Sequence, residues 1–166
     1  MQVERRAMVY DAEAQDISGR VAFFCSLVRL DSGDWLSGFT VGRLKHDPAG
    51  TIRLARSQDE GASWRTLSWQ FPSELGSVPG SLCGSEMVEV SPGRLLLFTT
   101  WFDRSDPDRP LFDPETEGIL PSRQLLFTSP DDGATWDDGR VVETPGLTGC
   151  SITGPVLKWP DGTFAY

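Results

Sequence analysis

Apolar and polar residues alternate with a period of two along Leu27-Val28-Arg29-Leu30 and along Met87-Val88-Glu89-Val90. That is the spacing of a half-buried β-strand. Each run ends in a turn, Asp31-Ser32-Gly33 or Ser91-Pro92-Gly93, and a new apolar stretch follows, from Trp35 to Val41 or from Leu95 to Phe102. No segment carries a convincing 3.6-residue helical period. Val156-Leu157-Lys158-Trp159-Pro160-Asp161-Gly162 repeats the same shape near the end of the chain. Gly33, Gly93 and Gly162 suit hairpin turns that need a positive φ. Met8-Val9-Tyr10 reads as an extra strand.

A second element recurs downstream. Ser57-Gln58-Asp59-Glu60-Gly61-Ala62-Ser63-Trp64 and Ser129-Pro130-Asp131-Asp132-Gly133-Ala134-Thr135-Trp136 share the pattern S-x-D-x-G-x-[ST]-W. The repeating unit is therefore strand, turn, strand, loop, strand, Asp-Gly turn, strand. Four antiparallel strands in about 60 residues make a propeller blade, and closed propellers have about 4–8 of them. The expected fold is an all-β propeller, with blade one at about 20–71, blade two at about 85–143 and the start of blade three at about 152–166. About two and a half blades fit in 166 residues. An open ring would leave sheet edges and blade faces uncovered, so the expectation is a piece of a longer propeller.

Composition narrows the partners. Fifteen Lys and Arg against 24 Asp and Glu give a formal charge of −9. With no basic stripe, nucleic-acid binding is not expected. The longest mostly apolar stretch, from Val21 to Val28, is too short to span a bilayer, and no membrane partner is expected. No hydrophobic segment follows the first six residues, so no secretory signal is expected and a cytoplasmic location is the default reading. Cys25, Cys83 and Cys150 are far apart without Cys-x-x-Cys spacing. No metal site or cofactor is expected, and the cysteines read as small buried residues lining the centre.

The repeated motif has its own physical logic. The carboxylates of Asp59 and Asp131 accept hydrogen bonds within a tight turn opened by Ser57 and Ser129. Gly61 and Gly133 supply backbone freedom, and Trp64 and Trp136 fold over the hairpin. These eight positions are expected to be structural. They resemble the Asp-boxes, or bacterial neuraminidase repeats, of the sialidase superfamily. The resemblance covers about Val21 to Tyr166. It implies a six-bladed ring when complete and a sialidase-like glycoside hydrolase, an exo-sialidase or related glycosidase. Asp-boxes also occur in non-catalytic propellers, so one that binds glycans or proteins is the alternative.

The same resemblance places candidate site residues. Ser26-Leu27-Val28-Arg29-Leu30 matches the family's first strand, Phe39 and Arg43 match its aromatic and arginine, and Asp47 falls at the catalytic aspartate. The family's Arg-Ile-Pro is replaced by Phe23, Phe24 and Cys25, so the first arginine of the carboxylate-binding triad is missing. The family uses a Tyr nucleophile assisted by a Glu, with an Asp acid/base; the Tyr and Glu would lie in later blades, leaving this stretch alone inactive. Ligands bind such propellers at the mouth where strand two passes to strand three and strand one is entered, opposite the Asp-boxes, which here means 42–50, 101–122 and the entries near Cys25, Cys83 to Glu86 and Cys150 to Thr153.

Within those segments Asp47 is either the acid/base, needing a raised pKa to donate a proton, or a turn residue of Asp47-Pro48-Ala49-Gly50. Arg43 is either a substrate contact or a solvated charge. His46, the single histidine, is a substrate contact, a proton carrier or a surface residue. Glu86 either faces the channel or bonds a neighbouring blade. Asp103 and Arg104 follow Trp101-Phe102 into the long loop and are substrate contacts or loop-base packing. The implied partners are a carbohydrate substrate or glycan ligand and the remaining blades.

Overall fold

The computed structural model describes residues 6–15 and 21–165. Four strands, β1 (Val21–Arg29), β2 (Trp35–Gly42), β3 (Thr51–Ser57) and β4 (Arg65–Thr66), form one antiparallel sheet in sequence order. A second sheet holds β5 (Glu74–Leu75), β6 (Val78–Ser91), β7 (Arg94–Asp103), β8 (Ser122–Ser129) and β9 (Arg140–Val142), again in order. β10 (Leu157–Lys158) and β11 (Phe164–Ala165) make a short antiparallel hairpin. The architecture is all-β: two blades and the opening hairpin of a third.

The period of two sorts the side chains between sheets. Leu36 on β2 and Ile52 and Leu54 on β3 face the second blade, where they pack with Leu82, Leu95, Leu97 and Trp101. Phe39, Val41 and Ala55, one residue out of phase, cover the other face of the first blade. On β7, Phe98 packs with Leu126, Ile152 and Val156 toward the third hairpin. The middle strands are thus buried on both faces, which is why Leu95 to Phe102 is so continuously apolar.

Equivalent hydrogen bonds hand one blade to the next. The Gly84 N–H donates to Thr40 Oγ1 at 2.9 Å, and the Ile152 N–H donates to Thr100 Oγ1 at 2.9 Å. At the other end, the Glu89 carboxylate accepts from the Asp31 N–H at 2.7 Å and the Gly93 N–H at 2.9 Å, joining the hairpin turns of both blades. Arg56 contacts Asp34 at 3.2 Å and donates to the Asp132 carbonyl.

The two S-x-D-x-G-x-[ST]-W segments fold alike, each linking the third and fourth main strands of its blade. Ser57 Oγ donates to Asp59 at 2.8 Å and accepts the Gly61 N–H at 2.8 Å; Asp59 accepts the Ser63 N–H at 2.8 Å and its hydroxyl at 2.6 Å. Ser129, Asp131, Gly133 and Thr135 repeat these bonds at 2.9, 2.8, 2.8 and 2.6 Å. Each Trp donates its indole N–H to the motif glycine's carbonyl at 3.2 Å. Trp136 is buried in the inter-blade core beside Phe71, whereas Trp64 is half-buried on the outer face of the first blade.

Several expectations change. Met8-Val9-Tyr10 is not a strand: Val9 and Tyr10 pack on the face carrying Phe39, with the Tyr10 and Phe39 rings 4.9 Å apart, so they cover a face instead of pairing an edge. The cysteines are not buried. Cys25 is exposed on the edge strand β1, and Cys83 and Cys150 are half-buried. The second sheet begins at Glu74, ahead of the expected start at residue 85, because β6 runs on through Val78-Pro79-Gly80. The outer bounds expected at Arg20 and Tyr166 lie outside the described residues.

Candidate functional site

The loop from 43 to 50 is built around Asp47. Its carboxylate accepts the Arg43 N–H at 2.6 Å, the Ala49 N–H at 2.9 Å and Arg43 Nε at 3.2 Å. Backbone bonds from Asp47 to Leu44 and from Gly50 to Asp47 close the turn. Gly42 permits this closure, because a Cβ there would lie 2.8 Å from Asp47 Cβ. The Leu82 N–H then donates to the Gly50 carbonyl at 2.9 Å, fastening the loop to the second blade.

Burial of Asp47 opposes its ionisation. The Arg43 guanidinium and the Ala49 and Arg43 amides more than offset this and hold the carboxyl at about 2. The raised pKa that proton donation requires is therefore not what this loop provides. The Asp47 side chain is 2% exposed and that of Arg43 71%. The pair joins a buried carboxylate to an exposed cation.

Arg104 reaches the same place from the second blade. Its backbone N–H bonds to Pro79, its Nε donates to Ser81 Oγ at 2.9 Å, and its Nη2 donates to the His46 carbonyl at 3.4 Å. Lys45, His46, Asp47, Gly50, Ser81, Cys83, Phe102 and Arg104 line one small cleft, together with Phe23 and Thr40. Burial lowers the pKa of His46, and the nearby Lys45 and Arg104 lower it further, which favours the neutral imidazole. Burial also pushes the Cys83 thiol up.

The structure thus gathers Arg43, His46, Asp47 and Arg104, named from distant parts of the sequence. The remaining candidates do not line the cleft. Glu86 pairs with Phe98 in the ladder and is half-buried, and burial raises its pKa. Asp103 accepts the Ser105 hydroxyl at 2.7 Å and its N–H at 2.8 Å, capping a turn, and these bonds lower its pKa. Among the described residues no three His, Cys, Asp or Glu side chains gather so as to hold a metal ion.

Beside the cleft stands an aromatic group that motif reading did not single out as a site. The Phe24 and Phe112 rings lie 6.4 and 6.1 Å from the His46 ring, and Lys45 Nζ is 5.2 Å from the Phe24 centroid. Phe24 has φ +50 at a bulge between Phe23 and Ser26; Gly84, sixty residues on, has φ +76 at the matching bulge between Cys83 and Glu86. A bulky residue in this region is strained, and such strain gathers at functional sites. Aligning the two repeats places Phe24 against Gly84, which was the available signal.

With this geometry in view, no protein-family model matches the chain, and no curated protein matches by sequence. Solved structures do. The Hadza microbial sialidase Hz136 is similar over 86% of this chain and 31% of its own, at 19% identity and a TM-score of 0.66. Two structures of the Fusarium graminearum α-L-arabinofuranosidase Arb93A with an iminosugar inhibitor are similar at 15% identity, with TM-scores of 0.43 and 0.46. They cover 73% and 84% of this chain and 32% and 38% of their own. The likeness to Hz136 is one of fold, a β-propeller. The chain spans about a third of the length of the solved structures it matches.

Proposed function

We propose that this chain supplies the first blades of a sialidase-like glycoside hydrolase, an exo-sialidase or related glycosidase acting on acidic or otherwise decorated sugars. One observation carries the reading: His46, Asp47 and Arg104 line one cleft, with Arg43 paired to Asp47 beside it, at the end of the blades opposite the two S-x-D turns. In this reading the turns are Asp-boxes and hold blade shape, while the cleft forms one wall of the sugar site.

Asp47 is the acid/base. Its proton affinity is held low by the Arg43 side chain and by the Ala49 and Arg43 amides. A substrate oxygen that draws the exposed Arg43 guanidinium away removes its ion pair and side-chain hydrogen bond and leaves a carboxyl whose burial is opposed only by the Arg43 and Ala49 backbone amides. Its pKa then rises toward the range needed for donation to a leaving oxygen. Arg43 thereby couples substrate arrival to proton transfer.

The test uses the protein made from its complete coding sequence and a panel of fluorogenic glycosides. Asp47→Asn should lower kcat by about 100-fold or more, the usual range for a lost acid/base. Near-normal turnover in that variant removes Asp47 from the mechanism. A second reading, a non-catalytic propeller that binds glycans or proteins, is favoured by Phe23, Phe24 and Cys25 standing where the family's first arginine motif would be. Its mark is retained glycan binding with no hydrolysis of any glycoside in the panel.

A further inference from the structure

Phe24 stands where the fold has no need of a side chain. Four non-glycine residues among those described have a positive φ. Glu60, Glu117 and Asp132 lie in turns and loops, whereas Phe24 lies inside a strand. Gly84, at the matching bulge of the second blade, shows that the bulge requires only a left-handed backbone, which glycine adopts freely. A phenylalanine there is strained, and packing does not offset the strain. Its ring is 39% exposed and belongs to none of the apolar clusters formed by the described residues. Phe112, in the loop from 104 to 121, is 51% exposed and equally outside them. Yet both rings come to one imidazole, that of His46, so three separate segments each send a ring to the same place. Strain and exposure that folding does not explain point to a ligand.

The groups around the rings select its chemistry. Lys45 Nζ stands over Phe24, on an exposed and flexible stem that lets it turn to a ligand's oxygen. The His46 imidazole, held toward its neutral form, is a second hydrogen-bonding group. An alkyl chain would cover the rings but leave the ammonium and imidazole without partners. A carboxylate set against the rings would lose water and meet the negative faces of their π-systems. An uncharged sugar ring suits both kinds of group: its C–H face meets the aromatic rings and its edge hydroxyls meet Nζ and the imidazole.

We propose that Phe24 and Phe112, with His46 and Lys45, form a subsite for the C–H face of a neutral pyranose unit, and that the strained backbone at Phe24 is kept for this contact. As a substrate contact it rests on the glycosidase reading; as a sugar-binding contact it does not.

The experiment is saturation-transfer NMR on the protein made from its complete coding sequence. The probe is methyl β-D-galactopyranoside, whose C3–H, C4–H and C5–H lie on one face. Galactitol supplies similar hydroxyls without a ring, and the methyl galactosiduronate supplies the same face with a carboxylate. Saturation of the galactoside should be strongest at that face and weak for galactitol. Phe24→Gly and Phe112→Ala should each raise the apparent Kd by about fivefold, and Phe24→Tyr should keep it. Thermal unfolding separates this from a structural role: Phe24→Gly should hold the wild-type Tm or exceed it by about two degrees, because its strain is relieved. An unchanged Kd in Phe24→Gly, equal saturation of galactitol, or tighter binding of the uronate overturns the proposal. So does a Phe24→Gly protein that fails to fold or melts several degrees lower, since the ring would then be structural. Hydrolysis is not read, so an inactive enzyme and a missing subsite are told apart.

Discussion

Asp47 makes a pH-dependent contribution whose sign follows from its neighbours. Its folded pKa of about 2 lies below the ordinary carboxylate value, so the stabilisation is fully present above about pH 4. It is lost as pH falls through 4 toward 2. The size is about 2 kcal/mol. Urea unfolding of the wild type and Asp47→Asn should show a gap at pH 6 that narrows steadily below pH 4. A gap independent of pH would mean that Arg43 does not hold the carboxylate in solution. Asp47 and Arg43 were pointed to by the family resemblance, and the turn chemistry of Asp47-Pro48-Ala49-Gly50 was legible in the residues themselves. The meeting of Arg104 with this loop was not, because that depends on what the fold brings near it. Phe24 was hidden for another reason: phenylalanine gives no local hint of a left-handed backbone. Only its alignment with Gly84 does.

Among the elements, β6 illustrates what pattern reading catches and what it misses. The alternation in Val88-Glu89-Val90 announced its second half. Its first half, Val78-Pro79-Gly80, has the residues of a loop, yet it pairs with both β5 and β7. Gly80 is required there by its neighbour. A Cβ at Gly80 would lie 1.8 Å from Trp101 Nε1, and that indole donates to the Ser73 carbonyl at 2.9 Å. Gly80→Ala must push the Trp101 ring out of the inter-blade core and break the bond, at a cost of about 1–3 kcal/mol. Guanidinium unfolding of the two proteins measures it, and a difference below a few tenths would show that Trp101 is not so tightly seated. The S-x-D turns were legible because their hydrogen bonds are local, formed within eight residues of chain. Glu89 was not, since one of its two N–H partners, Asp31, lies in the preceding blade.

For the molecule as a whole, the blades are fastened at both ends, and the two ends do different work. At one end Thr40 and Thr100 bind the next blade, and the 43–50 loop meets Arg104. At the other, Glu89 and Arg56 tie hairpin turns to one another and to the second S-x-D turn. The seven residues of β3 separate them by roughly 20 Å. At that distance energetic effects should add independently. Arg56→Ala removes a charged donor from Asp34 and from the Asp132 carbonyl, and should cost about 1–3 kcal/mol. It should leave the cleft's own titration, that of His46, unchanged, since His46 is set by burial, Lys45 and Arg104. Thermal unfolding reads the first effect and the His46 NMR titration reads the second. A lowered Tm with an unmoved His46 establishes the turn end as a pure clamp. A shifted His46 titration would mean that the blade stack transmits strain along β3, so that the turns holding the blades together also shape the cleft.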